Sequence, residues 1–501
     1  MNAALVLDSD LERSPVYASF AEFHARFAGI FSRPEPRAQA GKYLRALMGP
    51  VERRNGWQVA EAVGDARPGP TQRLMHQAVW SADAAGDRLR QILIEEFGDD
   101  EAIGVVDETG FLKKGTESVG VARQYTGTAG KVENCQIGVF ISYATPKGHV
   151  LLERELYLPK AWAQDNTRRN KAKVPRAVRF HTKPALAQIM LKRSWAAGVP
   201  MRWVTGDEVY GNDPRFRDFL SAHPRQFVLA VQSKTLVWTT RPVVEPVPRS
   251  PHSRAKKLAM RVVAGTPPAL TVAAVVASWP PEMWHRLVTQ YGEKGPIEHD
   301  WAAMRVVECR KKMPGEERWL LARRSVSDPK EVAYYLAHAP LDTPLRTLAK
   351  VASTRYTIEQ CFEEAKDDVG MDHYEVRQWP SWYRHVTLCM MALAWLTVAR
   401  MRLDGVLLAA FRGVGAPESD AVCPEAPRSL EPSCASWSVS PDPPPDGAAQ
   451  EEVKPAAAGV ADSASSTVVG GCDEGSSELA PASAPAAGAG KKGGPSRPRR
   501  V

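Results

Sequence analysis

Three acidic residues, far apart in the chain, are the ones whose types and settings could do chemistry. Asp107 closes the apolar run AIGVVD, Asp207 follows MRWVTG, and Glu359 lies within RYTIEQCFEEAK. The two aspartates fall where a buried strand meets a loop at its carboxyl end, the edge at which open sheets gather ligands. Each has an acidic neighbour, Glu108 and Glu208. Side chains alternate along an extended backbone, so one of each pair faces a given site. The aspartates are chosen because a shorter side chain holds a hard cation more rigidly. Wound as a helix, RYTIEQCFEEAK places Ile358, Cys361, Phe362 and Ala365 on an apolar stripe with Arg355, Glu359, Glu363 and Lys366 beside it.

Taken singly, acids and bases at this spacing describe a solvated helix face, and a strand-end aspartate describes a loop cap. Together, two strand ends and a helix face suit Mg²⁺, a hard ion that takes oxygen ligands and keeps several waters. Two such ions activate a nucleophile and stabilise the leaving oxygen of an in-line displacement at phosphorus. Arg355, one turn before Glu359, and Lys366, two turns after it, are placed to hold DNA phosphates. Glu363, one turn further along the same face, is the rival for the third ligand.

The elements that must position these residues follow from periodicity. Residues 15–97 read as short amphipathic helices, in RAQAGKYLRALMG, GWQVAEAVG, PTQRLMHQAVW and DRLRQILIEEF. The middle two resemble a helix-turn-helix reader, with Leu74, Met75, Ala78 and Val79 inward and Gln72 and Arg73 outward toward DNA; a plain packing hairpin is the alternative. From residue 101 strands take over, in AIGVVDETG, CQIGVFISYAT and HVLLERELYLP, and then alternate with helices through QFVLAVQ. This order predicts a mixed α/β sheet with flanking helices. Asp207 and Glu359 are 152 positions apart, so residues 233–337, rich in short strands, are expected to form an insertion outside the sheet.

The expected boundaries are thus 1–97 for a helical DNA-binding domain, 98–232 for the first part of the catalytic core, 233–337 for the β-rich insertion, 338–412 for the catalytic and final core helices, and 413–501 for a disordered tail. The tail is rich in Pro, Ala, Ser and Gly and cannot bury enough surface to offset chain entropy. It ends in the basic run KKGGPSRPRR.

Charge points to a polyanionic partner. The chain carries a net +8; from Glu418 onward there are 7 basic and 12 acidic residues, which leaves +13 on the preceding part. The segment KAWAQDNTRRNKAKVPRAVRFHTK concentrates Arg168, Arg169, Lys171 and Lys173 as candidate phosphate contacts. Seven cysteines without a C-x-x-C pair argue against a zinc ribbon or a disulfide framework and fit a reducing cytoplasm. The start, MNAALVLDSD, does not read as a secretory signal. The apolar stretch Val386 to Ala399 has 14 residues, too few for a membrane span and suited to a buried core helix.

The stretches VVDETGFLKKGTESVGVARQYTGTAGKVENCQIGVF, RELYLPKAW, WVTGDEVYG and TIEQCFEEAKDDVGMDHYEVRQWPSWYRHVTLCMMALAWL resemble bacterial insertion-sequence transposases of the Asp-Asp-Glu superfamily, most closely the insertion-sequence 701 family. The resemblance covers roughly residues 40 to 402. It implies a ribonuclease-H-like core in which Asp107, Asp207 and Glu359 hold two Mg²⁺ ions, with Mn²⁺ able to substitute. It also implies cutting of double-stranded DNA at the element ends, transfer of the 3′-hydroxyls to target DNA, and work as a homodimer, in the cytoplasm and on the nucleoid. The related insertion-sequence 4 group carries a Tyr, Arg, Glu, Lys signature; Arg355, Glu359 and Lys366 match its last three places, but Ala352 stands at the tyrosine place. In that group the insertion stacks a flipped base on tryptophan. Trp301 is the candidate here, with a core tryptophan as the alternative. A stand-alone metal-dependent nuclease and a domesticated DNA-binding protein without turnover are the rival functions.

Overall fold

The computed structural model of the chain describes residues 15–247, 259–292 and 295–413. Beyond Gly413 the expected disordered tail, with its basic end, lies outside the described residues. Among the described residues five α-helices come first: α1 (Pro15–Ala25), α2 (Pro34–Met48), α3 (Gly56–Ala62), α4 (Gly69–His76) and α5 (Ala82–Phe97). The central part runs β1 (Ile103–Leu112), β2 (Ala122–Thr126), β3 (Lys131–Thr145), β4 (Gly148–Leu156), α6 (Lys160–Gln164), α7 (Asn166–Lys171), α8 (Lys183–Ala196), β5 (Trp203–Gly206), α9 (Glu208–Gly211), α10 (Pro214–Ala222) and β6 (Gln226–Val231). Next come β7 (Leu236–Trp238), β8 (Val244–Pro246), β9 (Met260–Val262), β10 (Leu270–Thr271), α11 (Val272–Ala277), β11 (His285–Gly292), β12 (Gly295–Arg310), β13 (Met313–Ser325) and β14 (Val332–His338). The last helices are α12 (Leu345–Thr354), α13 (Tyr356–Asp367) and α14 (Trp379–Gly413).

Local chemistry sets several helix starts. Asn55 accepts from the Trp57 and Gln58 amides, Ser81 from Ala84, and Asp213 from Arg215 and Phe216. Each side-chain oxygen satisfies an amide that the first turn would leave unpaired.

Twelve strands join in one mixed sheet, in the order β10-β7-β12-β13-β14-β6-β5-β1-β3-β2, with β4 also on β3 and β11 on β12. Among the described residues only the β1–β5 and β5–β6 pairs are parallel. The expectation that residues 233–337 stand outside the sheet is corrected here: β14 pairs antiparallel with β6, from Tyr334 opposite Val231 to His338 opposite Phe227, so β12, β13 and β14 extend the sheet. A buried carboxylate ties this extension to the helices. Glu308 of β12 accepts from Arg217 Nε of α10 at 3.1 Å and Arg318 Nε of β13 at 3.0 Å. Such a pair persists in a core because each charge is compensated by its partner.

The helices of residues 15–97 share one hydrophobic core with the sheet, in which Phe20, Leu44, Leu89 and Phe97 lie together with Val106, Phe140 and Trp395. Helix α14 is central to it, packing on α2, α5 and β4. Its stretch Trp379–Leu403, of mean hydropathy 1.4, is long and apolar enough to cross a bilayer, but Trp382, Val386, Leu388 and Cys389 are fully buried within the protein.

Candidate active site

Strand register places the two aspartates side by side. The parallel β1–β5 pairing ends at Val106 opposite Gly206. Asp107 and Asp207 are each the next residue, on neighbouring chains that sheet geometry sets about 5 Å apart. Asp207 ends its strand as expected and caps α9, its Oδ1 accepting the Val209 amide at 2.9 Å. Asp107 does not end its strand: β1 runs on to Leu112, paired with β3 throughout. What ends after Val106 is the contact with β5, and this opens the edge on which both acids lie.

Their electrostatics reflect that crowding. Burial, then the charges of Asp207 and Glu108, push the Asp107 carboxyl well above the usual carboxylate range, against the Glu108 amide and Arg355. Burial and the Glu108 charge push Asp207 up to about 6, against the Val209 and Tyr210 amides and Arg355. Glu108, set aside at the sequence level by strand alternation, is occupied elsewhere: Lys183 Nζ of α8 donates to one oxygen and the buried Tyr210 hydroxyl to the other, at 2.7 Å. Neither Tyr210 nor the pairing of Glu108 was apparent from spacing.

The third acid arrives on α13, whose Ile358, Cys361, Phe362 and Ala365 are buried as the stripe predicts. Phe362 meets Phe140 of β3 edge-on, ring centres 5.5 Å apart. Arg355, at the break between α12 and α13, bridges the acids: its Nη1 is 2.6 Å from Glu359 Oε1 and 3.6 Å from Asp107 Oδ2. The separation of those two carboxylates cannot exceed the sum of the two distances. Arg355 therefore pairs with the acids. A cleft of about 1320 Å³ opens alongside, lined by Asp207, Arg355, Tyr356, Glu363 and the β11–β12 hairpin. Glu363 is exposed in this cleft.

The donor set is oxygen-only, as a hard divalent ion requires, and two crowded carboxylates gain most from such a charge. Among the described residues no three His, Cys, Asp or Glu side chains are close enough to form a closed ligand group. Glu359 approaches Asp107 through Arg355.

The remaining candidates divide. Lys366 Nζ donates to Thr128 Oγ1 at 3.2 Å, two turns from Glu359. Arg168 stacks on Trp162 at 3.7 Å and donates to the Thr116 carbonyl. Lys171 is exposed and pairs with Glu117, while Lys173 is exposed. Two expectations are corrected. Arg169 is buried, its guanidinium donating to the carbonyls of Pro175 and Val178, so it holds a loop together. Trp301 is fully buried on β12 against Tyr335, and its faces are not open to a base. In α4, Leu74 and Met75 are buried and Gln72 and Arg73 exposed, but Val79 is exposed because the helix stops at His76.

Comparison with known proteins adds family membership. The chain is 24% identical over 212 residues to the probable transposase for insertion sequence element IS701 of Microchaete diplosiphon, a match covering 41% of this chain and 52% of that protein. The chain thus spans about half the length of this curated relative. The cryo-EM structure of the piggyBac transposase synaptic complex with hairpin DNA aligns with a TM-score of 0.35 and 10% identity, over 74% of this chain and 66% of that one. The sequence pattern described as DDE superfamily endonuclease matches residues 26–296, which include Asp107 and Asp207 and end before Glu359. On that match, over more than half of its length, the chain belongs to the DDE superfamily endonucleases.

Proposed function

We propose that the chain is a transposase that cuts double-stranded DNA at the ends of its own element and joins the freed 3′-hydroxyls to target DNA. Asp107, Asp207 and Glu359 would hold two Mg²⁺ ions, for which Mn²⁺ can substitute. The observation that carries this reading is the register of β1 and β5, which sets two carboxylates side by side at the end of their parallel contact. When bound, the divalent pair supplies activation of the attacking oxygen and charge neutralisation at the leaving one.

The chain's own residues do the positioning. Asp107 lies within β1 and Asp207 directly beyond β5, capping α9, so paired strands and a capped helix set their spacing. Tyr210 and Lys183 keep Glu108 fixed, so it adds negative potential without competing for position. Arg355 neutralises the acids and stands at the cleft, from which its guanidinium can turn to a DNA phosphate. Glu359 is favoured over Glu363 as the third ligand because Arg355 ties it to Asp107. Two ends must be held together for strand transfer, which suits a homodimer.

The test is incubation of the chain with a plasmid carrying the DNA that flanks its gene, with Mg²⁺, followed by mapping of cut and joined ends. Asp107→Ala, Asp207→Ala and Glu359→Ala should each abolish cutting while DNA binding survives. Cutting retained by one variant removes that residue from the site. Cutting without joined products would mean a nuclease, and binding without cutting a domesticated DNA-binding protein.

A further inference from the structure

A second groove, of about 810 Å³, lies between the N-terminal helices and the catalytic part of the chain. One wall is α3 and α4, carrying Trp57 and Arg73; the other is Lys173, just past α7, and the strip Tyr374–Gln378. Trp57, the second residue of α3, is 63% exposed. Its backbone is fixed, since its amide donates to Asn55 Oδ1 at 3.0 Å. An indole left bare on a fixed stretch of backbone is an incomplete contact.

The charge around it is mainly positive. Arg73 and Lys173 are exposed, and neither takes part in an ion pair among the described residues. Arg54 adds a third positive charge while its guanidinium bonds the carbonyls of Leu47, Asp367 and Asp368. Lys173 also lies close enough to His76 to oppose its protonation, after burial. Glu375 is the single acid in the lining. Free cations beside an exposed aromatic face match the needs of an unpaired polynucleotide, whose phosphates take the charges and whose bases stack. Duplex DNA offers phosphates but keeps its base faces covered.

The groove is also within reach of the acids. Lys113, directly after β1, donates from Nζ to the Tyr374 carbonyl in the groove wall at 3.0 Å. It lies six residues past Asp107, about 20 Å along an extended strand.

We propose that this groove binds an unpaired segment of DNA, its phosphates on Arg73 and Lys173 and a base stacked on Trp57. The proposal rests on the reading that the chain acts on DNA.

The test uses the full chain in EDTA with a fluorescein-labelled 20-nucleotide oligo(dT), read by anisotropy, and a 30-base-pair mixed-sequence duplex alongside. Trp57→Ala should weaken oligo(dT) binding by about 5-fold to 150-fold, from about 1–3 kcal/mol per stacked base, and Trp57→Phe should lose less. The pair Arg73→Gln and Lys173→Gln should lower the salt slope by about 1.4, at about 0.7 per charge on a single strand. Unchanged oligo(dT) affinity in a Trp57→Ala chain that melts like the parent would overturn the proposal. So would a loss confined to the duplex, which would make the groove a duplex surface. Mg²⁺-dependent plasmid nicking, measured separately on the parent chain, reports on the catalytic reading. Nicking with no effect of Trp57→Ala defeats the groove alone. Groove-dependent binding without nicking defeats the catalytic reading and leaves the groove.

Discussion

Replacing Asp207 by Asn should make the metal-free protein more stable at pH 8, although it destroys the proposed ion site. Asp207 is raised from 3.8 to about 6, which at 1.36 kcal/mol per pH unit is about 3 kcal/mol. The sign follows from proton binding. The folded state holds this proton more tightly than the unfolded state, so the stabilisation is complete below pH 3.8 and is lost as pH rises through about 6. At pH 8 the parent chain lacks it, whereas Asn never ionises. Asn also keeps an oxygen to accept the Val209 amide, so the α9 cap is retained. At about 2.1 cal/mol/K per residue over about 400 residues, the gain is about 3–4 °C in Tm. Near pH 4.5 the difference should shrink to about 1 kcal/mol. The assay is a thermal melt in EDTA at both pH values, repeated with Mg²⁺, which should stabilise the parent and leave Asp207→Asn nearly unmoved. A variant melting at or below the parent at pH 8 would refute the claim that crowded, buried carboxylates are held there at a cost.

Two further outcomes follow from packing. Trp301→Ala should lower stability by about 3–5 kcal/mol, as a large buried truncation does, whereas a DNA-stacking residue would lower affinity and leave the urea midpoint unchanged. Gly211→Ala should reduce cutting without touching an acid. A Cβ at Gly211 would lie 1.8 Å from the Ala230 carbonyl, forcing α9, and with it Asp207, off β6; normal activity in a plasmid-nicking assay would show that α9 can move freely.

Much of the site was legible because its determinants are local. The apolar stripe of α13 depends on spacing within twelve residues, and Ile358, Cys361, Phe362 and Ala365 are buried accordingly. Strands β1, β3 and β5 follow from apolar runs. What escaped is non-local. Asp107 lies mid-strand because β3 supplies partners for the polar DETG stretch. Strand β2 hid in a glycine-flanked ARQYT and exists through its pairing with β3. Joining of the later strands to the sheet depends on β14 meeting β6, a contact between residues about a hundred positions apart, on which periodicity is silent. Arg169 looked like a phosphate contact because sequence shows a charge and does not show the carbonyls that claim it.

The β14–β6 pairing has a consequence for how such chains can vary. The chain departs from the catalytic strands at Val231 and returns at Tyr334, directly opposite. Departure and return are therefore neighbours in space, whatever lies between them. Hairpins of the excursion that do not touch α12 can be lengthened or trimmed while α12 and α13 keep their place; β11 is tied to α12, Gln290 donating to the Ser353 carbonyl and Ser353 Oγ to Thr289 Oγ1. The long sequence gap before Glu359 becomes a modular port: a place where outlying hairpins can be rebuilt while the strands that carry Asp107 and lead to Asp207 stay as they are.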